Sequence, residues 1–231
     1  MDEIIAALGL TPETALAFFR DKLAVAPERY RLLDAAAKAR AFSIAGAAGE
    51  AMLADFQAAL AAAIEEGTSL EAFTAEFEAI AARRGWDYEG PSGWRSRIIF
   101  ETNLNEAYSA GRWYEQTRAE TLEAFPFWEY AHSGALNPRE QHLAWDGLVL
   151  RADDPFWQRA YPPNGFGCGC FVLPLSPEDM GRMGKNAPDP SPDLATVLTF
   201  TRRGTPTEII RGVDAGFEGR PGGTWLPDMA A

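Results

Sequence analysis

Cysteine and histidine are almost absent from this chain, with two of each in 231 residues. Two cysteines are too few for a disulfide framework. As Cys168 and Cys170 they stand at i and i+2, where a bridge would be strained. The expectation is a reducing compartment, with both thiols free or bound to a metal. Basic residues are scarce too: 21 Lys and Arg stand against 33 Asp and Glu, for a net charge of −12 and a pI near 4.7. Phosphate backbones repel such a chain, and its bases gather no further than pairs such as Arg83–Arg84 and Arg202–Arg203. Direct nucleic-acid binding, sequence-specific binding included, is not expected. No apolar run approaches the ~18 residues of a membrane span, and MDEIIAALGL opens with two acids where a secretory leader carries bases. A soluble, unexported chain without membrane contact is the expectation. Also missing are the G-x-S-x-G, H-E-x-x-H, P-loop and dinucleotide fingerprints, so no ready-made catalytic signature is present.

What is present is 47% hydrophobic residues, ample for a core. Residues 1–121 read as a helical region. Thr11-Pro12-Glu13 is a helix start, and a second helical stretch is expected from about Glu28 through LLDAAAKARAFSIA, bent or broken by Gly46 and Gly49. Met52, Leu53, Phe56, Leu60 and Ile64 recur at threes and fours, the spacing of an amphipathic helix, and Gly67 supplies its C-cap. Thr68 with Glu71 gives a capping-box signal for the next helix, which ends at Arg83, Arg84 and Gly85. A long helix follows from Ser92 to about Thr121. Between Arg40 and Arg83 there are acids and no base, a solvated face or a surface that meets a basic partner.

From residue 122 the texture changes. FPFWEYAHS reads as a strand, Asn137–Pro138 begins a short helix ending near Trp145, and GLVLRA and CFVLPL read as strands around a helical turn at DDPFWQRAY. Residues 122–176 are therefore expected to form a small, turn-rich α+β module. Residues 177–231 are rich in proline, glycine and charge and read as an extended tail. The fold class is α+β, mainly helical over its N-terminal two-thirds.

The four strongest soft or borderline metal ligands, His132, His142, Cys168 and Cys170, all fall in this module. Two thiolates and two imidazoles form a standard tetrahedral zinc set. The spacing is not that of a zinc finger, because C-x-C replaces C-x₂₋₄-C and the histidines stand ten apart. Two readings stay open: a structural zinc tying the 130s segment to the strand after the turn, or buried free cysteines acting as small hydrophobes beside a hydrogen-bonded histidine. A cysteine nucleophile would want a histidine base within reach; Cys168 with His142 offers one, but no third orienting residue stands at a recognisable spacing. The acid pairs Asp153–Asp154 and Glu178–Asp179 adjoin prolines and read as helix-start acids. In YPPNGFGCGC, Pro162 and Pro163 fix an extended approach, Asn164–Gly165 reads as the turn, and the glycines free the backbone around Cys168.

The ordered series Arg139-x-x-His142, Gly147, Asp153 to Trp157, Pro162-Pro163-Asn164-Gly165 and Cys168-x-Cys170 resembles the signature of the Mu F-like phage head morphogenesis family, also called minor head or minor capsid proteins. The upstream helices KARAFSIAG, AALAAAIEEGTSLEAFTAEFEAIAARRGW and ETNLNEAYSAGRW are similar to the family's as well. Relatives place an arginine between the two cysteines, where this chain has Gly169, and often an aspartate and an extra arginine before the histidine motif, where it has GALNPREQH. The resemblance implies a virion component of a tailed phage, prophage or gene-transfer particle. Such a protein joins the head during assembly in the host cytoplasm, stays in the head interior, contacts the portal and other head proteins, and bears on DNA packaging or ejection. It implies no enzyme and no certain cofactor, with structural zinc left open. The alternative is a metal- or thiol-dependent hydrolase acting in head maturation through His142, Cys168 and Cys170.

Overall fold

Alanine-rich segments with apolar residues at threes and fours make helices because each turn then buries one stripe and leaves the other wet. The computed structural model describes residues 12–47, 49–200, 204, 206–223 and 225. The cap expected at Thr11 and the pair Arg202–Arg203 lie outside them. The described residues divide into two compact units, one of residues 112–221 and one of residues 12–111 with 222, 223 and 225.

In the unit built on residues 12–111, helix α1 (Pro12–Arg20) is followed by a parallel pair of two-residue strands, β1 (Leu23–Ala24) and β2 (Ala41–Phe42). Between them lie two short helices, α2 (Pro27–Tyr30) and α3 (Ala35–Ala39). The single helical stretch expected from Glu28 onward is thus two short helices and a strand. Asp34 caps the second piece by accepting from Ala37 N–H at 2.8 Å, and Ala41 and Phe42 leave the helix to pair as a strand. Helix α4 (Glu50–Glu66) buries Met52, Leu53, Phe56, Leu60 and Ile64, the expected stripe, and ends on Gly67 with φ +68°. Helix α5 (Leu70–Arg84) is capped by Ser69, not by Thr68: its hydroxyl accepts from Ala72 N–H at 3.2 Å. Phe56 and Phe77 pack at 5.3 Å between ring centres, and each meets Trp86 edge-on. Trp225 closes the same unit by donating its indole N–H to Asp21 at 2.8 Å and packing on Phe18. The acidic face is partly neutralised, with Asp55 bound to Arg83 and Arg84 and Glu65 to Arg20.

Helix α6 (Ser92–Gln116) contains the limit between the units, between residues 111 and 112. The 112–221 unit is therefore wider at both ends than residues 122–176. After α7 (Ala119–Ala124) come β3 (Phe127–Ala131), α8 (Glu140–Trp145), β4 (Val149–Arg151), α9 (Trp157–Ala160) and β5 (Phe171–Leu175). The three strands form one antiparallel sheet in the order β4-β3-β5, with Trp128 opposite Leu150 and Pro174, and Tyr130 opposite Val172. Alternation along β3 sends Trp128 and Tyr130 to the buried face. There they meet Trp113, Trp145, Phe156, Trp157 and Tyr161 in a core of edge-to-face aromatic pairs. Gln116, fully buried, spans this core by donating to Val172 O at 3.0 Å and accepting from the Tyr161 hydroxyl at 2.9 Å.

The segment after Ser176 departs from an extended tail. It opens with helix α10 (Pro177–Arg182), capped by Ser176 and Asp179 in a reciprocal capping box, and continues to a hairpin, β6 (Thr196–Phe200) with β7 (Pro206–Ile210). Asp189 completes the free edge of β4, since its carboxylate accepts from Val149 N–H at 2.8 Å and its N–H donates to Val149 O at 2.7 Å. Ile210 and Val213 are buried in the aromatic core, with Leu194 and Phe217 packed against it. Proline and glycine here punctuate a chain that returns to the core.

Two hydrogen bonds, from Arg84 first and Arg83 second, hold the Asp55 carboxyl down to about pH 2. Because the folded value lies below the unfolded one, near 3.9, the stabilisation is full above pH ~4 and disappears as pH falls through about 2. Asp55→Asn should lower the melting temperature at pH 7, with a gap to the wild type that shrinks as pH falls from about 4 to about 2. Thermal melts of both proteins across that range test it, and an unchanged gap at pH 2 contradicts the assignment.

Candidate functional site

Helix α8 carries Arg139 at its N-cap and His142 one turn later, and both face the corner that precedes β5. His142 is 2% exposed. Its Nε2 lies 2.7 Å from Gly212 O, and its Nδ1 lies 3.7 Å from both Cys168 Sγ and Cys170 Sγ. A carbonyl only accepts, so Nε2 carries a proton and, in the neutral ring, the lone pair of Nδ1 points at the sulfurs. His142, Cys168 and Cys170 offer ligand atoms that all fall within 4.8 Å of one another.

His132 is not brought to this group. Its Nδ1 accepts from Gly134 N–H at 3.0 Å, and its own N–H donates to Asp146 Oδ1 at 2.8 Å. The four-ligand set expected from sequence thus becomes three. His132 lies just past the end of β3, where the chain turns, whereas the cluster forms beside Tyr130 on the buried face.

The corner differs from its expected form. Asn164 is fully buried rather than at the tip of the turn. The turn closes through Cys168 N–H to Gly165 O at 3.0 Å, with Phe166 and Gly167 at its tip and Gly167 at φ +69°. The Pro162–Pro163 peptide is cis. Asn164 Nδ2 donates to Ala160 O at 3.0 Å and to the Tyr130 hydroxyl at 3.2 Å. The Tyr130 hydroxyl in turn donates to Cys170, and the Asn164 backbone N–H faces Cys168. The Cys170 N–H serves Cys168 as well, and the Ser133 N–H serves Cys170.

Arg139 fastens this corner from outside. Its Nη2 donates to Asp214 Oδ2 at 2.7 Å and to Phe166 O at 3.0 Å. Asp214 also accepts from Phe166 N–H at 3.3 Å and donates its own N–H to Asn164 O at 2.9 Å. A side chain on Gly165 would overlap the Asp214 carboxylate and come within 2.9 Å of Arg139 Nη2. Gly147, at φ +76°, turns the chain from α8 back into the sheet and donates its N–H to Tyr130 O at 2.9 Å. Trp157, fully buried, donates its indole N–H to Arg151 O at 2.9 Å. Asp154 accepts from Phe156 N–H at 2.8 Å and Asp179 completes the capping box, so both act as helix-start acids.

The electrostatics single out one thiolate. Cys168 donates its S–H to Cys170; that hydrogen bond and burial both raise the Cys168 thiol, and the same bond lowers Cys170 against the raising effect of burial. Burial, with the two sulfurs beside it, raises Tyr130, which stays a hydroxyl donor. The arrangement can hold a thiolate or a soft cation. As a nucleophile it is poorly placed, because Cys168 and Cys170 are 4% and 5% exposed and a catalytic thiolate needs an approach path.

Among known proteins, the family model described as Phage Mu protein F like protein matches residues 54–173, more than half of the chain. The chain belongs to this family. Of the residues on which the expected resemblance rests, Arg139, His142, Pro162, Pro163, Asn164, Gly165, Cys168 and Cys170 gather at the corner, and Gly147 and Trp157 lie elsewhere in the 112–221 unit. The F protein of Escherichia phage Mu, which its name assigns to capsid assembly, is 33% identical over 193 residues, covering 77% of this chain and 43% of its own length. The Mu-like prophage FluMu F protein of Haemophilus influenzae is 36% identical over 157 residues, covering 64% of this chain and 37% of its own length. The chain thus spans less than half the length of these Mu F-like relatives. No solved structure matches it significantly.

Sequence reasoning missed Tyr130, Ser133, Gly212 and Asp214. The strand alternation around Tyr130 marks it as buried but not as a sulfur partner, and nothing local in RGVDAG distinguishes Gly212 or Asp214 from loop residues. Gly212 stands at φ +89°, and a Cβ there would meet Gln141 Cβ at 2.8 Å and Trp145 Cη2 at 3.0 Å. Gly212→Ala should cost at least about 1–3 kcal/mol from backbone strain alone and speed labelling of the two thiols. Gly184→Ala, at φ +72° with open space around it, should show the strain without the labelling. Denaturant unfolding and thiol-labelling rates measure both, and equal labelling in the two variants would detach Gly212 from the site.

Proposed function

We propose that this chain is a structural component of a tailed-phage, prophage or gene-transfer particle head, acting in head assembly rather than as an enzyme. The observation that carries this reading is where the family's motif residues lie. They converge on a buried corner tied by Arg139–Asp214 and His142–Gly212, not on an open cleft. Membership of the Mu F-like family and the capsid-assembly name of the phage Mu relative support the same role. In this reading the partners are other head proteins, the portal among them. The protein acts in the host cytoplasm during assembly and in the head interior afterwards, where it bears on packaging or ejection. No described helix is long and apolar enough to cross a membrane. The net charge of −12 suits protein contacts better than direct contact with DNA.

The competing reading, a hydrolase of head maturation using His142, Cys168 and Cys170, requires a substrate to reach sulfurs that are almost wholly covered. One experiment separates the two. Procapsids and mature particles of the host element are purified from wild type and from a strain carrying Arg139→Ala, and their proteins are identified and quantified. Loss of the Arg139–Asp214 pair should reduce incorporation of the chain and yield of filled heads together. Absence of the wild-type chain from both particle forms overturns the structural role. Normal incorporation of a Cys170→Ser chain with loss of a maturation cleavage establishes the hydrolase instead.

A further inference from the structure

We infer that His142 Nδ1, Cys168 Sγ and Cys170 Sγ form a three-donor site for a zinc ion, complete without His132 and oriented by Gly212, Asn164 and Tyr130. The inference is independent of the role in assembly.

Distance is the first support. With zinc–sulfur bonds near 2.3 Å and zinc–nitrogen bonds of 2.0–2.1 Å, the N···S edge of a tetrahedron is about 3.6 Å. Here both such edges are 3.7 Å, and all three ligand atoms lie within 4.8 Å of one another, so the nitrogen already stands at a ligand's distance from each sulfur.

The tautomer is the second support. Metal-binding histidines generally donate their other ring N–H to a carboxylate or carbonyl, which fixes the ring and exposes one lone pair. The 2.7 Å contact of Nε2 with Gly212 O does this, and it leaves Nδ1 as the donor facing both sulfurs. His132 stands outside the group of donor atoms that lie within 4.8 Å of one another, and its Nδ1 is engaged by Gly134.

Charge is the third support. Two thiolates buried together repel, while a dication between them gives a neutral cluster that a buried site can hold. N–H groups of Asn164, Cys170 and Ser133 and the hydroxyl of Tyr130 already point at the sulfurs, as outer partners of a metal–thiolate centre do. Thiolate softness selects zinc over the hard cations magnesium and calcium. The chain supplies three of four tetrahedral donors, and water takes the fourth. The ion would join α8 to the corner directly, and through the imidazole it would join the 212 turn.

The test uses the full chain. Zinc is measured in purified, folded protein, removed with a chelator, and replaced by cobalt(II), whose visible bands report tetrahedral geometry and whose near-ultraviolet bands report thiolate ligands. One metal per chain is expected, with thiolate bands in the wild type. His132→Ala should keep the spectrum, and Tyr130→Phe should weaken cobalt affinity about 10–100-fold. Chelation of the wild type should lower its melting temperature, and added zinc should restore it. Cys170→Ser should lose the thiolate bands or fold without binding cobalt. A well-folded wild type with far less than one zinc per chain and no cobalt bands on titration overturns the site. Loss of the bands in a folded His132→Ala protein overturns the three-donor set.

Discussion

The 112–221 unit depends on one imidazole held at both nitrogens. His142 binds Gly212 O through Nε2 and faces Cys168 and Cys170 through Nδ1. Those three contacts join segments 26, 28 and 70 residues away in sequence. The sheet could not supply this constraint alone, with strands of three to five residues and a small number of ladder bonds. Small antiparallel sheets need a packed face or an added fastening. Here the face is aromatic, the fastening is polar, and His142 stacks against Trp145 at 6.0 Å where the two meet.

Around this ring the polar groups are arranged in two layers. Inside, Asn164 and Tyr130 address the sulfurs. Outside, Arg139 and Asp214 hold the same corner by its backbone, half exposed to water. The inner layer decides conformation, because a buried donor or acceptor left unpaired costs about 1–3 kcal/mol. The outer pair, with side chains 37% and 36% exposed, contributes less energy. It shares an acceptor with Phe166 N–H, however, and so sets where the turn sits.

Much of the fold was legible. The stripes of α4 and α5, their glycine C-caps and the three strands of the sheet follow from periodicity and turn chemistry that act over a few residues. Two features were not. The stretch after Glu28 has helical composition throughout, yet Ala41 and Phe42 pair as a strand because tertiary pairing overrides propensity in a segment so short. Composition alone gave residues 177–231 as a tail. Burial of Ile210 and Val213 is a long-range event that proline and glycine content does not report. The site was half legible: the ligand types pointed to His142, Cys168 and Cys170, but nothing in the spacing told His132 from His142. The difference arises because His142 rides a helix whose N-cap arginine is itself pinned, while His132 sits beyond the strand end.

The Pro-Pro-Asn-Gly and Cys-x-Cys motifs are two parts of one device. Asn164 is linked to both sulfurs, to Cys168 through its own N–H and to Cys170 by way of Tyr130. That double reach requires a buried asparagine a fixed distance before the first cysteine. The chain must then turn outward over Phe166 and Gly167 and come back, which takes the three residues Gly165 to Gly167. Gly165 must lack a side chain because the Arg139–Asp214 pair crosses it, and Gly167 because its φ is positive. Spacing that looks arbitrary for a zinc finger is therefore set by a turn that carries its own sulfur-facing asparagine. The remaining contact to both sulfurs comes from helix α8, through His142 Nδ1, and not from the loop.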